Sequence, residues 1–549
     1  MSHGVHPLSK IATHKTTYAF DDRAYINVTP TVLGAKGETT VWVTVDFSSP
    51  TPSNDDWIAV FSPANFSAAT CPKDNPYVLP PMLCTAPLKY KYANYNNPNY
   101  TKTGKGSMKF QLIKQRSDIS FALFTGGISN PKLVAVSNKL AFVNPNAPVY
   151  PRLAQGKVWN EMTVTWTSGY GIDEAEPFVE WGPKGGAQVR SPAGTLTFDR
   201  NTMCGVYTYK LGHRLFNGTC IWSQEYWFRA SPYPGQNSLQ HVIIFGDMGK
   251  GEADGSFEFE DFQPASLNTT KQLIEDLNNI DIVFHIGDIV YAMGYIAQWD
   301  QCTAQIEPIA STKPYMIGSG NHERDWPGTG SFYQNMDSGG ECGVLAENMF
   351  YVPAENRANF WYSADYGMFR FCVAHTELDW REGSEQYKFI ENCLASVDRQ
   401  RQPWLIFLAH RVLGYSSVDF YVEEGSFEEP MGREDLEKLW QKYKVDIALY
   451  GHVHNYERSC PVYEGTIHVI AGGGGASLHE FAPINTTWSI YKDYDNGFVK
   501  LTAFDHSHLL FEYKKSRDGK VYDSFTISRD YRDILTCTGD SCPEVTLAQ

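Results

Sequence analysis

Five short clusters of polar residues, each placed directly after an apolar run, carry the chemistry of this chain. His241 to Phe245 leads into Gly246 and Asp247, Ile282 to Ile286 into Gly287, Asp288 and Tyr291, and Tyr315 to Ile317 into Gly320-Asn321-His322-Glu323. Trp404 to Ala409 then leads to His410, and Val445 to Tyr450 leads to Gly451-His452-Val453-His454. Carboxylates, a phenol, an amide and imidazoles are donors that transition metals take. Two cations about 3.5 to 4 Å apart need a ligand that serves both, and a carboxylate with its two oxygens does so. Asp288 is the candidate bridge. Side chains two apart in an extended segment share a face, so His452 and His454 can each reach one metal. Hard oxygen donors at Asp247 and Tyr291 suit a trivalent ion such as Fe(III), whereas an amide oxygen with imidazoles suits Zn, Mn or Fe(II).

Each cluster alone has a bland reading. Gly246 to Gly249 is a turn, Asp288 a helix cap, Tyr291 a packed aromatic, and His285 and His410 satisfied core histidines. Their common setting argues otherwise. Continuous apolar runs bounded by Gly or polar residues read as strands covered on both faces, and in open α/β sheets ligands gather beyond the carboxyl ends of such strands. Helical patterns over Thr269 to Leu277, Glu385 to Ala395 and Arg433 to Tyr443 alternate with the runs and imply βαβ units. Thr466 to Ala471 precedes the glycine tract 472–475, and Phe498 to Phe504 and His508 to Tyr513 predict a second sheet.

The chain upstream is of another kind. Residues 1–145 hold short alternating or aromatic runs, such as Thr40 to Val45, Trp57 to Phe61, Ser107 to Ile113 and Ile119 to Thr125, and predict a β-sandwich. After the linker Asn144 to Pro148, the runs at Met162 to Trp166, Phe178 to Trp181, Val206 to Lys210 and Glu225 to Phe228 predict a second sandwich over 146–238. The catalytic part and a C-terminal extension then occupy 239–549.

The ordered set Gly246-Asp247-Met248-Gly249, Gly287-Asp288-Ile289-Val290-Tyr291, Gly320-Asn321-His322-Glu323, His410 and Gly451-His452-Val453-His454 resembles the calcineurin-like metallophosphoesterase pattern. Tyr291 narrows the likeness to purple acid phosphatases. Gly318 to Gly328 and Gly451 to Arg458 resemble their large plant branch, which includes nucleotide pyrophosphatase/phosphodiesterase members. The resemblance implies two N-terminal β-sandwich domains before an α/β domain of two packed sheets with flanking helices; the second sandwich resembles the family's fibronectin-III-like domain. It implies that Asp247, Tyr291 and His454 hold Fe(III), that Asn321, His410 and His452 hold the divalent ion, that Asp288 bridges, and that His322 is no ligand but either supports the ligands from behind or contacts substrate. The activity implied is acid hydrolysis of phosphate esters by metal-bound hydroxide.

Two departures stand out. Smaller plant members carry an adjacent His pair downstream of the ligand matched by His410, and one of the pair serves as proton donor. The segment Arg411 to Phe420 contains no His. General acid help is worth about 10² to 10⁴ in rate, and a nucleotide phosphate tolerates its loss better than a sugar alkoxide does. The candidate replacement donors are His322, His375, Asp379, Tyr415 and Asp419, and the sequence singles out none of them. Arg324, Arg411 and Arg458 either grip phosphate oxygens or balance Glu323 and Glu457. The second departure is a chain that is short between Arg190 and Val206, as if a strand of the second sandwich were missing, which would leave an open sheet edge.

With 46 Lys and Arg against 62 Asp and Glu, the net charge of −16 opposes an extended nucleic-acid or anionic-membrane surface and suits a small phosphorylated substrate. No run approaches a membrane span. Among 11 cysteines, Cys71 with Cys84, Cys204 with Cys220 and Cys537 with Cys542 read as disulfide loops, and the odd one could tie a homodimer. Asn27, Asn65, Asn99, Asn217, Asn268 and Asn485 begin glycosylation sequons. Met1 to Lys10 lack a signal peptide's apolar core, and the expectation is a secreted glycoprotein, in cell wall or vacuole, whose signal has been removed. The leading function is a nucleotide pyrophosphatase/phosphodiesterase. The alternatives are a broad acid phosphomonoesterase and a catalytically weak, metal- and phosphate-binding glycoprotein. A Mn-dependent nuclease is disfavoured by Tyr291 and the acidic surface.

Overall fold

The computed structural model describes residues 15–530 apart from 68–81, 85, 172–173, 194, 198–205, 259–262, 296, 423–431, 462–464 and 484–485. In the catalytic part the apolar runs become strands in which all but His241 and Arg370 are buried. We label these β1 (Gln240–Phe245), β2 (Ile282–Ile286), β3 (Tyr315–Gly318), β4 (Phe369–Val373), β5 (Trp404–Ala409), β6 (Ile447–Tyr450), β7 (Ile467–Ala471) and β8 (Gly497–Ala503). In the first sheet β1, β2 and β3 run parallel, and β8 pairs antiparallel with β1. In the second, β4, β5, β6 and β7 run parallel. The predicted second sheet at 498–513 is therefore corrected: β8 hydrogen-bonds to β1 and His508–Lys515 to β8, so both extend the first sheet.

The two sheets pack face to face through a dry aliphatic and aromatic core, with the Phe284 and Phe371 rings 4.3 Å apart across it. Helices cover the outer faces: α1 (Ser266–Glu275) and α2 (Ala297–Ala310) on the first sheet, α3 (Glu385–Ala395) and α4 (Arg433–Tyr443) on the second. Helix α3 starts where Ser384 Oγ accepts the Tyr387 N–H at 3.0 Å, and it buries Tyr387, Ile390, Cys393 and Leu394. Helix α2 escaped the periodicity because it is buried nearly all round, with Trp299, Asp300, Gln301, Cys302 and Thr303 in succession out of solvent.

Upstream, a three-stranded sheet faces a seven-stranded one around Val28, Val45, Ile58, Phe110 and Leu123. The seventh strand comes from the catalytic part: Phe257–Glu258 pairs with Lys89–Tyr90. The second sandwich has a three-stranded and a four-stranded sheet around Leu153, Met162, Val179, Leu211 and Phe228. Thr195–Thr197 pairs with Glu161–Thr163, so a strand stands next to the tract that reads as short.

The cysteine reading needs correction. Cys372 at the end of β4 and Cys393 on α3 form a disulfide with Cα atoms 6.0 Å apart. Cys220 is a free thiol, although Cys204 lies outside the described residues. The expected Cys71–Cys84 and Cys537–Cys542 loops also involve residues outside those described. Spacing favours close pairs; the fold instead brought a strand and its covering helix together. Asn27, Asn65, Asn99, Asn217 and Asn268 are exposed, and Asn485 lies outside the described residues. No described helix is long and apolar enough to cross a membrane.

Candidate metal centre

The donors lie just beyond the carboxyl ends of β1, β2 and β3 in one sheet and of β5 and β6 in the other. Asp247, Asp288, Tyr291 and His452 all adopt positive φ, at 60°, 52°, 57° and 65°. Non-glycine residues rarely hold this backbone, and they cluster at functional sites where the surrounding structure enforces it. The enforcement is visible. Glu323 accepts the Asp288 and Ile289 N–H groups at 2.8 Å each and the Gly320 N–H at 2.9 Å, locking the turns after β2 and β3 together. The glycine tract after β7 closes the other side, with Gly474 N–H donating to the Gly246 carbonyl at 2.9 Å. A Cβ on Gly474 would stand 2.3 Å from that carbonyl, so no other residue fits there.

The seven side chains singled out as ligands come together. Tyr291 Oη lies 3.2 Å from Asp247 Oδ1 and 2.9 Å from His454 Nε2. Asn321 Oδ1 stands 3.0 Å from both His410 Nε2 and His452 Nδ1, and His410 Nε2 is 3.3 Å from Asp288 Oδ1. Two groups of donors have ligand atoms within 4.8 Å of one another: Asp247, Asp288 and His454, and Asp288, His410 and His452. Asp288 is common to both. A Cβ on Gly320 would reach 2.2 Å from Asp288 Oδ1, so glycine leaves the carboxylate its room.

The imidazoles are oriented for metal. His410 Nδ1 is 3.0 Å from the Ile286 carbonyl and His454 Nδ1 2.6 Å from the Ser477 carbonyl. A carbonyl only accepts, so each Nδ1 carries the proton and each Nε2 turns inward as a ligand atom. Asn321 Nδ2 donates to Asp337 at 2.9 Å, which aims the amide oxygen inward in the same way. Burial alone would lower the His410 pKa, yet the Asp288 and Asp247 carboxylates raise it to about 10, and His454 is raised likewise by Asp247. A buried cluster that recruits protons so strongly calls for positive charge. The donor set fits a pair of cations.

The remaining calls divide. His322 stays at the centre, half-buried, its ring 4.2 Å from that of Tyr291 and its buried Nδ1 without a hydrogen-bond partner among the described residues. The structure does not bring the other substrate candidates in as grips. Arg411 is buried and paired in a fork with Glu377 at 2.8 and 3.1 Å, although its Nη1 comes 3.4 Å from His452 Nε2. Arg324 donates to Thr329 Oγ1 and the Thr329 carbonyl, and Arg458 is clamped on Asp523. Neither balances Glu323 or Glu457: backbone donors hold Glu323, and Ser417 and Ser489 hold Glu457. Tyr415 donates to Glu437 at 3.1 Å and packs on His468 and Trp488. Of the replacement donors, His375 is buried against Phe360, Asp379 pairs with Arg381, and Asp419 is exposed at the start of a short helix. His285 is the core histidine of the bland reading, 3.0 Å from the Tyr315 hydroxyl.

Asp337, Glu377 and His479 escape the sequence as site residues, and Glu323 is legible there only as a charge beside the ligands. His479 stacks on His454 with ring centroids 4.1 Å apart, and burial together with His454 lowers its pKa to about 4. No motif could have found it, because the contact is made by a loop 25 residues downstream of His454.

Two parallel-centred sheets with a shared-carboxylate donor cluster between their carboxyl ends define a metallophosphoesterase. Residues 240–456 match the family described as calcineurin-like phosphoesterase, and 465–524 match the iron/zinc purple acid phosphatase-like protein C-terminal family. The family described as the Fn3-like domain from purple acid phosphatase matches 26–144, which is the first sandwich, whereas the sequence likeness was read in the second. The solved structure of purple acid phosphatase PPD1 from yellow lupin (Lupinus luteus) seeds is 70% identical, with a TM-score of 0.89 over 96% of this chain and 100% of that one. Probable inactive purple acid phosphatase 1 of Arabidopsis thaliana is 66% identical over 100% of this chain and 96% of its own length. A nucleotide pyrophosphatase/phosphodiesterase of Hordeum vulgare is 65% identical over 60% of this chain and 95% of its own. The chain belongs to the purple acid phosphatase family.

Proposed function

We propose that this chain is an active phosphohydrolase that cleaves phosphodiester or pyrophosphate bonds of nucleotides. The observation that carries activity is the full donor set: five carboxylate and imidazole side chains in two groups that share Asp288, with Tyr291 Oη 2.9 Å from His454 in one and Asn321 Oδ1 3.0 Å from His410 in the other. A dinuclear centre bound there would supply an activated water and neutralise charge on the phosphoryl oxygens. In this reading Asp247, Tyr291 and His454 would hold Fe(III), Asn321, His410 and His452 would hold Zn, Mn or Fe(II), and Asp288 would serve both. The chain's own share is positional. Ile286, Ser477 and Asp337 fix the ligand orientations, and Arg411 and Glu377 form a buried ion pair beside His452. His322 is the side chain best placed to donate a hydrogen bond to the substrate.

The nucleotide preference draws on the barley relative's name and on the absent His pair, since a phosphate leaving group needs less proton help than an alkoxide. The second reading, a metal- and phosphate-binding glycoprotein with little turnover, is favoured by the same absence and by the Arabidopsis relative's name. The test is product analysis of the protein with both metals confirmed, at mildly acidic pH, with a nucleotide sugar competing against a simple phosphomonoester. Pyrophosphate cleavage first is expected. Monoester preference would replace this reading with a broad acid phosphatase, and no turnover would move the chain to the binding class.

A further inference from the structure

Phe420 is 42% exposed, one of several large apolar side chains at the surface, and it is set apart by its neighbours. It stands beside the metal centre. Its centroid is 6.2 Å from that of His452 and 6.2 Å from that of His479, nearly edge-on to each at 79° and 83°. His479 is held in turn: its ring lies flat on His454 at 11°, and its Nδ1 accepts the His454 N–H at 3.3 Å. The next residue, Tyr421, is only 1% exposed and packs 4.9 Å from Phe420, which anchors the short helix Asp419–Val422. His454, His479, Phe420 and His452 thus form one continuous aromatic wall that starts at the donor cluster and ends in solvent.

We propose that Phe420, backed by His479, is a specificity-determining platform that stacks the nucleobase or another planar aromatic group of a phosphate ester. A phosphoryl group at the cations puts the moiety it esterifies one short linkage away, at the distance where the wall reaches the surface. A partly exposed aromatic ring offers such a group stacking and little hydrogen-bond discrimination, so the platform selects aromatic over alkyl or bare sugar esters while tolerating different bases. The inference rests on the phosphoester reading for where the phosphate sits.

The experiment measures calorimetric binding, by the metal-loaded protein, of the phosphonate isostere of AMP and of methylphosphonate, which keeps the anion and lacks the base. F420A, F420Y and the wild type are compared at equal confirmed metal content. In F420A the AMP isostere is expected to bind about tenfold more weakly and methylphosphonate within about twofold of wild type, while F420Y keeps the wild-type preference. Equal losses for both ligands in F420A, unchanged affinity for the isostere, or loss of the preference in F420Y would each overturn the platform. Because neither ligand is hydrolysed, a protein that binds both metals without turnover would defeat the proposed activity and leave this measurement intact.

Discussion

At the scale of single residues, the centre depends on side chains held in backbone conformations they would not choose. Asp288 shows this best: it has positive φ, is almost wholly buried, and its Oδ1 accepts the His322 N–H at 3.0 Å while reaching toward His410. Asp288→Asn keeps the shape and removes the charge shared by both donor groups. The expected outcome is loss of paired metal and of hydrolysis with an unchanged circular dichroism spectrum; two metals with full activity would remove the bridge assignment. Tyr291→Phe is expected to bleach the visible absorption of the iron-loaded protein, checked by its spectrum. Asp337 belongs to neither donor group; it accepts from Asn321 and lies 3.8 Å from Arg411, so Asp337→Ala is expected to lower divalent-metal affinity about 10- to 100-fold, measured by chelator competition.

At the scale of elements, buried carboxylates tie the loops that carry ligands to the helices behind them. Glu341 accepts the Gly294 N–H at 3.0 Å and the Trp299 Nε1–H at 2.9 Å, joining the turn after Tyr291 to α2. Burial, with Glu323 adding its charge, raises the Glu341 pKa to about 8 against these two hydrogen bonds. A carboxyl whose folded pKa lies above its unfolded value of about 4.5 stabilises the fold below that value, and the contribution is lost as pH rises through about 8. The catalytic part is therefore expected to lose roughly 3 kcal/mol of stability between about pH 5 and pH 8 from this group. Glu341→Gln is expected to flatten that slope in denaturant unfolding followed across the same range.

At the scale of the whole molecule, the first sandwich is part of the support for the metal loop. Lys89, 3% exposed, donates to Glu252 at 2.7 Å, to Asp254 at 3.0 Å and to the Gln111 carbonyl at 2.6 Å. Both carboxylates lie on the loop that follows Asp247 and that goes on to add Phe257–Glu258 to the sandwich sheet. Lys89→Met would remove the cation the two buried carboxylates share, leaving Glu252 only Lys250 at 3.4 Å and Asp254 only the Gln111 and Ser256 donors, at a cost of up to about 3 to 5 kcal/mol. The expected outcome is a lower first unfolding transition and faster proteolysis between residues 250 and 260, read by calorimetry and by fragment mapping.

What the sequence determined by itself is the part that depends on local order. An apolar run buried on both faces must end in a polar turn, so the strands and the seven donors beyond them are legible from residue type and position, as are α3 and α4 from their one-sided periodicity. Helix α2 is not legible, because a helix buried nearly all round, polar residues included, has little periodicity to show. The tertiary structure alone decided which strands share a sheet, since β8 chooses β1 through hydrogen bonds that any strand could make. It decided that Cys372 pairs with Cys393, and that the arginines beside the ligands are consumed by Glu377, Thr329 and Asp523. It also set His479 and Phe420 against the ligand histidines. The physical reason is the same in each case: a side chain's type states what it can bond, and only packing at a distance in sequence states which partner comes within reach.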